Sequence, residues 1–121
     1  MKKLSKYVLL ILTLFPISVY GADFINGLED IPVMAELEQQ HSDAIAFGNE
    51  ESRLVEAILR GNKIKFANVE KFYQDTLPQM GWVFQGKKNN TLFFYRDRES
   101  LEISRLTSNP LTIRITVKSK N

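Results

Sequence analysis

The chain has no cysteine among its 121 residues. Disulfides are therefore excluded, even in a compartment that would preserve them. Lipid attachment through a leader cysteine, thiol catalysis, zinc–cysteine sites and iron–sulfur clusters are excluded with them. His41 is the single histidine, so no HExxH zinc motif exists. Gly81 and Gly86 are isolated turn residues rather than parts of a phosphate-binding loop. No apolar run reaches the roughly twenty residues of a bilayer-spanning helix. The sequence also contains no internal repeat and no low-complexity segment. Stability must come from packing, and no cofactor is expected.

The start of the chain reads as a processing signal. Lys2, Lys3 and Lys6 precede the nearly wholly apolar run Tyr7 to Phe15, and Pro16 leads into small and moderate residues ending at Gly21. This pattern predicts a secretory signal peptide over residues 1–21, cleaved after Gly21, and so a periplasmic or secreted protein. The rival reading is an uncleaved membrane anchor. It fits less well, because the run from Tyr7 to Tyr20 is short and interrupted by Pro16.

The formal charge of +2 conceals an asymmetry. Three of the sixteen basic residues lie in the leader, leaving thirteen against fourteen carboxylates. Residues 22–51 hold eight carboxylates and no Lys or Arg, whereas residues 52–121 hold thirteen basic and six acidic side chains. The expected organisation is an acidic N-terminal arm over 22–43 and a basic folded body over 44–121.

Within the arm, Asn26-Gly27 reads as a turn and Pro32 biases Ile31 toward extended backbone. Met34 to Gln40 reads as a short helix, and Leu28, Ile31, Val33 and Met34 as anchors against the body. Ala44 to Phe47 suits an edge strand. Arg53 to Arg60 is a strand with apolar residues on both faces. The helix follows. Phe66, Val69, Phe72, Tyr73, Thr76, Leu77 and Met80 fall within an arc of about 140°. Lys65 is a poor N-cap. Pro78 and Gly81 mark the end, with Gly81 suited to a left-handed stop. Four strands in a meander are predicted next, at Trp82–Gln85, Thr91–Arg96, Glu99–Leu106 and Leu111–Lys118. The last alternates cleanly, with Leu111, Ile113, Ile115 and Val117 on one face and Thr112, Arg114, Thr116 and Lys118 on the other. The implied fold is a two-layer α+β domain. One main helix packs on an antiparallel sheet of four to five strands, in strand–helix–strand–strand–strand order.

Catalytic readings of the residues are weak. His41 has Ser42 and Asp43 as sequence neighbours, but triads are assembled from separate elements. Glu36, Glu38, His41 and Asp43 lack calcium-loop spacing, and a solvated helix end explains them more simply. Glu99 and Glu102 have odd spacing on one strand and so point to opposite faces, which does not suit a glycosidic carboxylate pair. A basic sheet face is the stronger feature. Lys87, Lys88, Arg96, Arg98, Arg105, Arg114 and Lys118 lie near Phe93 and Tyr95. Arg96, Arg105, Arg114 and Lys118 are the proposed binding face; the plainer and favoured reading is a solvated sheet face partly neutralised by the chain's own acidic arm. Tyr73 and Trp82 are candidates to line a pocket, but their place on the helix stripe favours a core role.

The segment Gly27, Leu28, Asp30, Pro32, Met34 and the motif Phe72, Tyr73, Leu77, Pro78, Gly81, Trp82 carry a resemblance. The chain resembles small exported bacterial proteins, mainly alphaproteobacterial, that combine a leader with both segments. The resemblance spans nearly all of the chain after the leader. It implies a fold element rather than an activity and transfers no catalytic residue. The function expected is non-enzymatic binding of a protein or envelope component through the basic face. Peripheral contact with anionic lipid or lipopolysaccharide is the alternative, and a small hydrolase a remoter one. Export directs the protein away from nucleic acid, and the pattern specifies no oligomeric state.

Overall fold

The computed structural model describes residues 23–40, 45–48 and 52–120. In chain order the elements are β1 (Phe24–Ile25), β2 (Leu28–Pro32), β3 (Glu38–Gln39), β4 (Ile45–Gly48), β5 (Ser52–Gly61), helix α1 (Phe66–Thr76), a 3-10 turn (Leu77–Met80), β6 (Val83–Lys88), β7 (Thr91–Arg96), β8 (Glu99–Ser108) and β9 (Leu111–Lys120). β1 and β2 form a hairpin of their own. The other strands form one antiparallel sheet in the order β3-β5-β9-β8-β7-β6, with β4 also paired to β5.

The expected two-layer α+β domain with four to five strands is thus overturned. The chain is mostly β, with a seven-stranded sheet and a separate two-stranded one. Much of the difference lies before β5. The segment read as an arm contributes β1, β2 and β3, and its expected helix over Met34–Gln40 is a turn at Ala35–Glu36 followed by β3. These strands are two to five residues long and have no sustained period of their own. Their backbone groups are paired by tertiary neighbours: β3 by Arg60 and Leu59, and Gln40 by its N–H donating to the Ile58 carbonyl at 2.9 Å. Short strands of this kind leave little local trace in a sequence.

The long strands follow their side-chain parity. Val55, Val117, Leu101 and Phe94 form one inward row; Ala57, Ile115, Ile103 and Leu92 form the next. All eight are buried. Helix α1 lays Phe66, Val69 and Tyr73 on this face, continued by Leu77, and the N-terminal segment adds Ile25, Leu28, Ile31, Met34 and Leu37 to the same core. Burying each large apolar side chain is worth about 1.5–3 kcal/mol. The N-terminal segment is therefore an integral part of the core. Gly61 makes one crossing possible, since a Cβ there would stand 2.7 Å from the Glu36 carbonyl oxygen.

Local signals set the helix ends. Lys65 occupies the N-cap position with no side-chain cap bond. At the other end Gly81 has φ 90° and ψ 0°, and its N–H reaches the Leu77 and Pro78 carbonyls. The Trp82 N–H donates to the Leu77 carbonyl at 3.1 Å. This left-handed stop satisfies carbonyls that the helix would otherwise leave open and aims Trp82 into the core.

Candidate functional site

The large sheet has an inner face, covered by α1 and the β1–β2 hairpin, and an outer face. Register maps the outer face in rows. Val83, Tyr95, Ser100, Lys118 and Leu54 lie side by side across five strands. Phe93, Glu102, Thr116 and Glu56 form the next row, then Lys88, Thr91, Ser104, Arg114 and Ile58. Thr91 and Ser104 are joined by a 2.9 Å hydroxyl–hydroxyl bond. No described helix lies against this face. It exposes Tyr95 at 45% and Val83 at 50%, two large side chains that oppose one another across β6 and β7. Among the described residues Arg114 and Lys118 make no ion pair, so their charge is available to a partner.

The four proposed basic residues do not share one surface. Arg96 has the parity of Leu92 and Phe94 and lies at the rim of the inner face. Its Nη2 donates to Asp30 Oδ2 at 2.7 Å and to Glu99 Oε1 at 2.8 Å, its Nη1 to the Met80 carbonyl at 2.9 Å, and its Nε to Glu99 Oε1 at 3.2 Å. The guanidinium also lies 4.3 Å from the centre of the Trp82 ring. Burial works against its charge, but the hydrogen bonds it donates to Glu99 and Asp30, with the charges of those carboxylates, outweigh that and hold its pKa above the ordinary value. Arg96 thus ties the N-terminal hairpin, the end of the 3-10 turn and the β7–β8 hairpin together. Its role is structural.

Arg105 also has inner parity, opposite Ile113. It donates to Asn90 Oδ1 at 2.8 Å and flanks the Phe66 ring at 5.7 Å. Lys87 flanks the same ring at 5.7 Å while bonding Glu70 at 2.9 Å. Arg98 is an exposed turn residue. Only Arg114 and Lys118 of the proposed face lie on the outer surface.

The other candidates are also separated. Glu99 is committed to Arg96 on the inner rim, and Glu102 lies on the outer face between Phe93 and Thr116. Glu36 and Glu38 border a cleft of about 740 Å³ beside Arg60 and Asn62; His41 and Asp43 lie outside the described residues. Among the described residues no three His, Cys, Asp or Glu side chains stand close enough to hold a metal ion. Nor is any described helix long and apolar enough to cross a membrane.

Tyr73 and Trp82 line no opening, for both are buried. The Tyr73 hydroxyl donates to the Pro32 carbonyl at 2.7 Å, which fastens the hairpin to the helix. Burial pushes this phenol well above its ordinary 10.0, partly offset by the Met34 backbone N–H. The unfolded chain releases that proton near pH 10, while the folded chain retains it. The unfolded state then binds fewer protons, so stability falls as pH rises above about 10, by about 1.4 kcal/mol per pH unit. Urea denaturation from pH 8 to 11.5 should show this decline, and Tyr73→Phe should make it shallower by one proton's worth. An identical slope in the variant would assign the decline to other groups.

Asp30 as a partner of Arg96 escaped sequence reasoning, since the two residues are 66 positions apart. The Arg96–Glu99 pair had a local signal: opposite charges flanking the two-residue turn Asp97-Arg98. Compared with protein-family models, curated proteins and solved structures, the chain matches none.

Proposed function

We propose that this is a non-catalytic binding domain of an exported protein, and that it holds an anionic partner of the cell envelope on the outer sheet face. The observation that carries the reading is the outer face itself. It has no described helix over it, and among the described residues Arg114 and Lys118 make no ion pair, although Glu56 and Glu102 share the face with them; the exposed Tyr95 lies in the row of Lys118. Lys118 is exposed and Arg114 half-buried between the buried Thr112 and Thr116; cations without an ion pair attract negative partners, and neighbouring aromatic area adds contact energy once water is displaced. Export rests on the basic start and short apolar run of the leader.

The test is crosslinking pull-down from an envelope fraction with the purified protein, alongside flotation with anionic and neutral vesicles. Arg114→Glu with Lys118→Glu should remove the crosslinked protein or the salt-sensitive flotation. Both side chains point away from the core, so the fold should be retained at a cost of about 1 kcal/mol or less. A crosslinked protein identifies a protein partner; flotation restricted to anionic vesicles and lost in high salt identifies a lipid head group. Unchanged recovery in the double variant refutes the outer face as the binding surface.

A further inference from the structure

The two edges of the large sheet are treated differently. At one end the sheet finishes in the two-residue β3 and four-residue β4, both paired to β5, with Gln40 adding a hydrogen bond to Ile58. The β6 edge ends the sheet, with no described strand beyond it. A strand in that position presents unpaired backbone donors and acceptors.

β6 also exposes apolar side chains toward both faces. Val83 opposes Tyr95 on the outer face. Phe84, at 37% exposure, opposes Phe94 on the inner side, with the two ring centres 5.2 Å apart. A ligand lying on one sheet face covers one of these side chains. A strand added at the edge sets its own alternating side chains beside both.

We propose that β6 accepts an extended, acidic segment of a partner protein as an additional strand of the large sheet. The charges select the occupant. The second half of β6 carries a bulge between Phe84 and Gly86 and then Lys87 and Lys88. Bulges and edge lysines are devices that deter pairing between copies of one chain. Two copies would bring four lysines to one short interface. A segment with carboxylates opposite Lys88 and apolar residues opposite Val83 and Phe84 is instead attracted by the lysine charge and the exposed apolar side chains, and it pairs on either side of the bulge. Lys87 is already held by Glu70, so Lys88 is the residue that reads the charge. Val83 and Lys88 border the outer face, but the pairing groups are the backbone of the β6 edge rather than Arg114 and Lys118, so either reading can fail without the other.

The probe is a capped octapeptide of three glutamates followed by five valines, with a counterpart carrying lysines in place of the glutamates. Binding to the full chain is read by calorimetry and by amide hydrogen exchange over Val83–Lys88. The acidic peptide should bind at least tenfold more tightly than the basic one and protect β6 amides. N-methylation at one alternating set of peptide positions should abolish binding, while methylation of the other set is tolerated, because only one set faces the edge. Lys88→Glu, at an exposed position, should reverse the preference between the peptides. Arg114→Glu with Lys118→Glu should leave peptide binding intact. The proposal is overturned by no saturable binding of the acidic peptide at millimolar concentration, by equal binding of the two peptides, or by indifference to methylation. Protection of β6 that rises with protein concentration alone would assign the edge to a second copy and overturn it as well.

Discussion

Trp82→Ala is expected to lower the free energy of unfolding by about 3–5 kcal/mol in chemical denaturation. The side chain is 1% exposed and follows the left-handed Gly81, whose geometry leaves it directed inward. Its ring is covered by the Arg96 guanidinium. The indole Nε1 is buried without a hydrogen-bond partner among the described residues, so the expected loss comes from packing and from the cavity left behind rather than from a broken hydrogen bond. Trp82→Phe, which keeps an aromatic ring and deletes the unpartnered donor, should therefore cost clearly less than alanine. A loss below about 1 kcal/mol in Trp82→Ala would show that the indole does not fill the core, and would restore a pocket as the role of Tyr73 and Trp82.

The second large effect is expected at Arg96. Its side chain is 24% exposed and makes charge-assisted bonds to two carboxylates and a backbone carbonyl while stacking on Trp82. Hydrogen bonds to charged groups contribute about 1.5–3 kcal/mol, and the partial exposure of Asp30 moderates that pair. Arg96→Ala should cost about 2–3 kcal/mol. Arg96→Lys should recover little of it, since an ammonium cannot reproduce the planar fork or lie flat on the indole. A double-mutant cycle with Asp30→Ala should give a coupling of about 1 kcal/mol. Wild-type stability in Arg96→Lys would show that only charge matters at this position. Because Arg96 holds the fold together, its removal does not test ligand binding; Arg114 and Lys118 do.

Parity explains why the basic residues were easy to find and harder to assign to a surface. In Leu111–Lys120 the two faces differ in chemistry, so the outward placement of Arg114 and Lys118 is legible from alternation alone. In Thr91–Arg96 the run Leu92-Phe93-Phe94-Tyr95 is apolar on both parities, and nothing local decides which side Arg96 joins. Arg105 continues the parity of Leu101 and Ile103, so its inner position was available from spacing. The opposite faces of Glu99 and Glu102 follow from their odd separation in the same way. The helix stripe from Phe66 to Leu77 was equally readable, because a 3.6-residue period repeats often enough to stand out.

The sequence by itself determined the elements that carry their own period or punctuation: the amphipathic helix, the Gly81 stop that turns Trp82 inward, the absence of thiol chemistry, and the meander strands other than the first, since β6 runs Val83–Lys88 where residues 86–88 read as a turn. Tertiary structure alone decided the rest. It made strands of the N-terminal segment by supplying partners to backbone groups that no local pattern commits. It drew Asp30 to Arg96 across 66 residues, and it divided one run of basic side chains between the two sides of a sheet. The physical reason is common to all three. Periodicity acts between neighbours in sequence and is written there, whereas edge pairing, ion pairing and facial assignment act between residues that only the folded chain brings together.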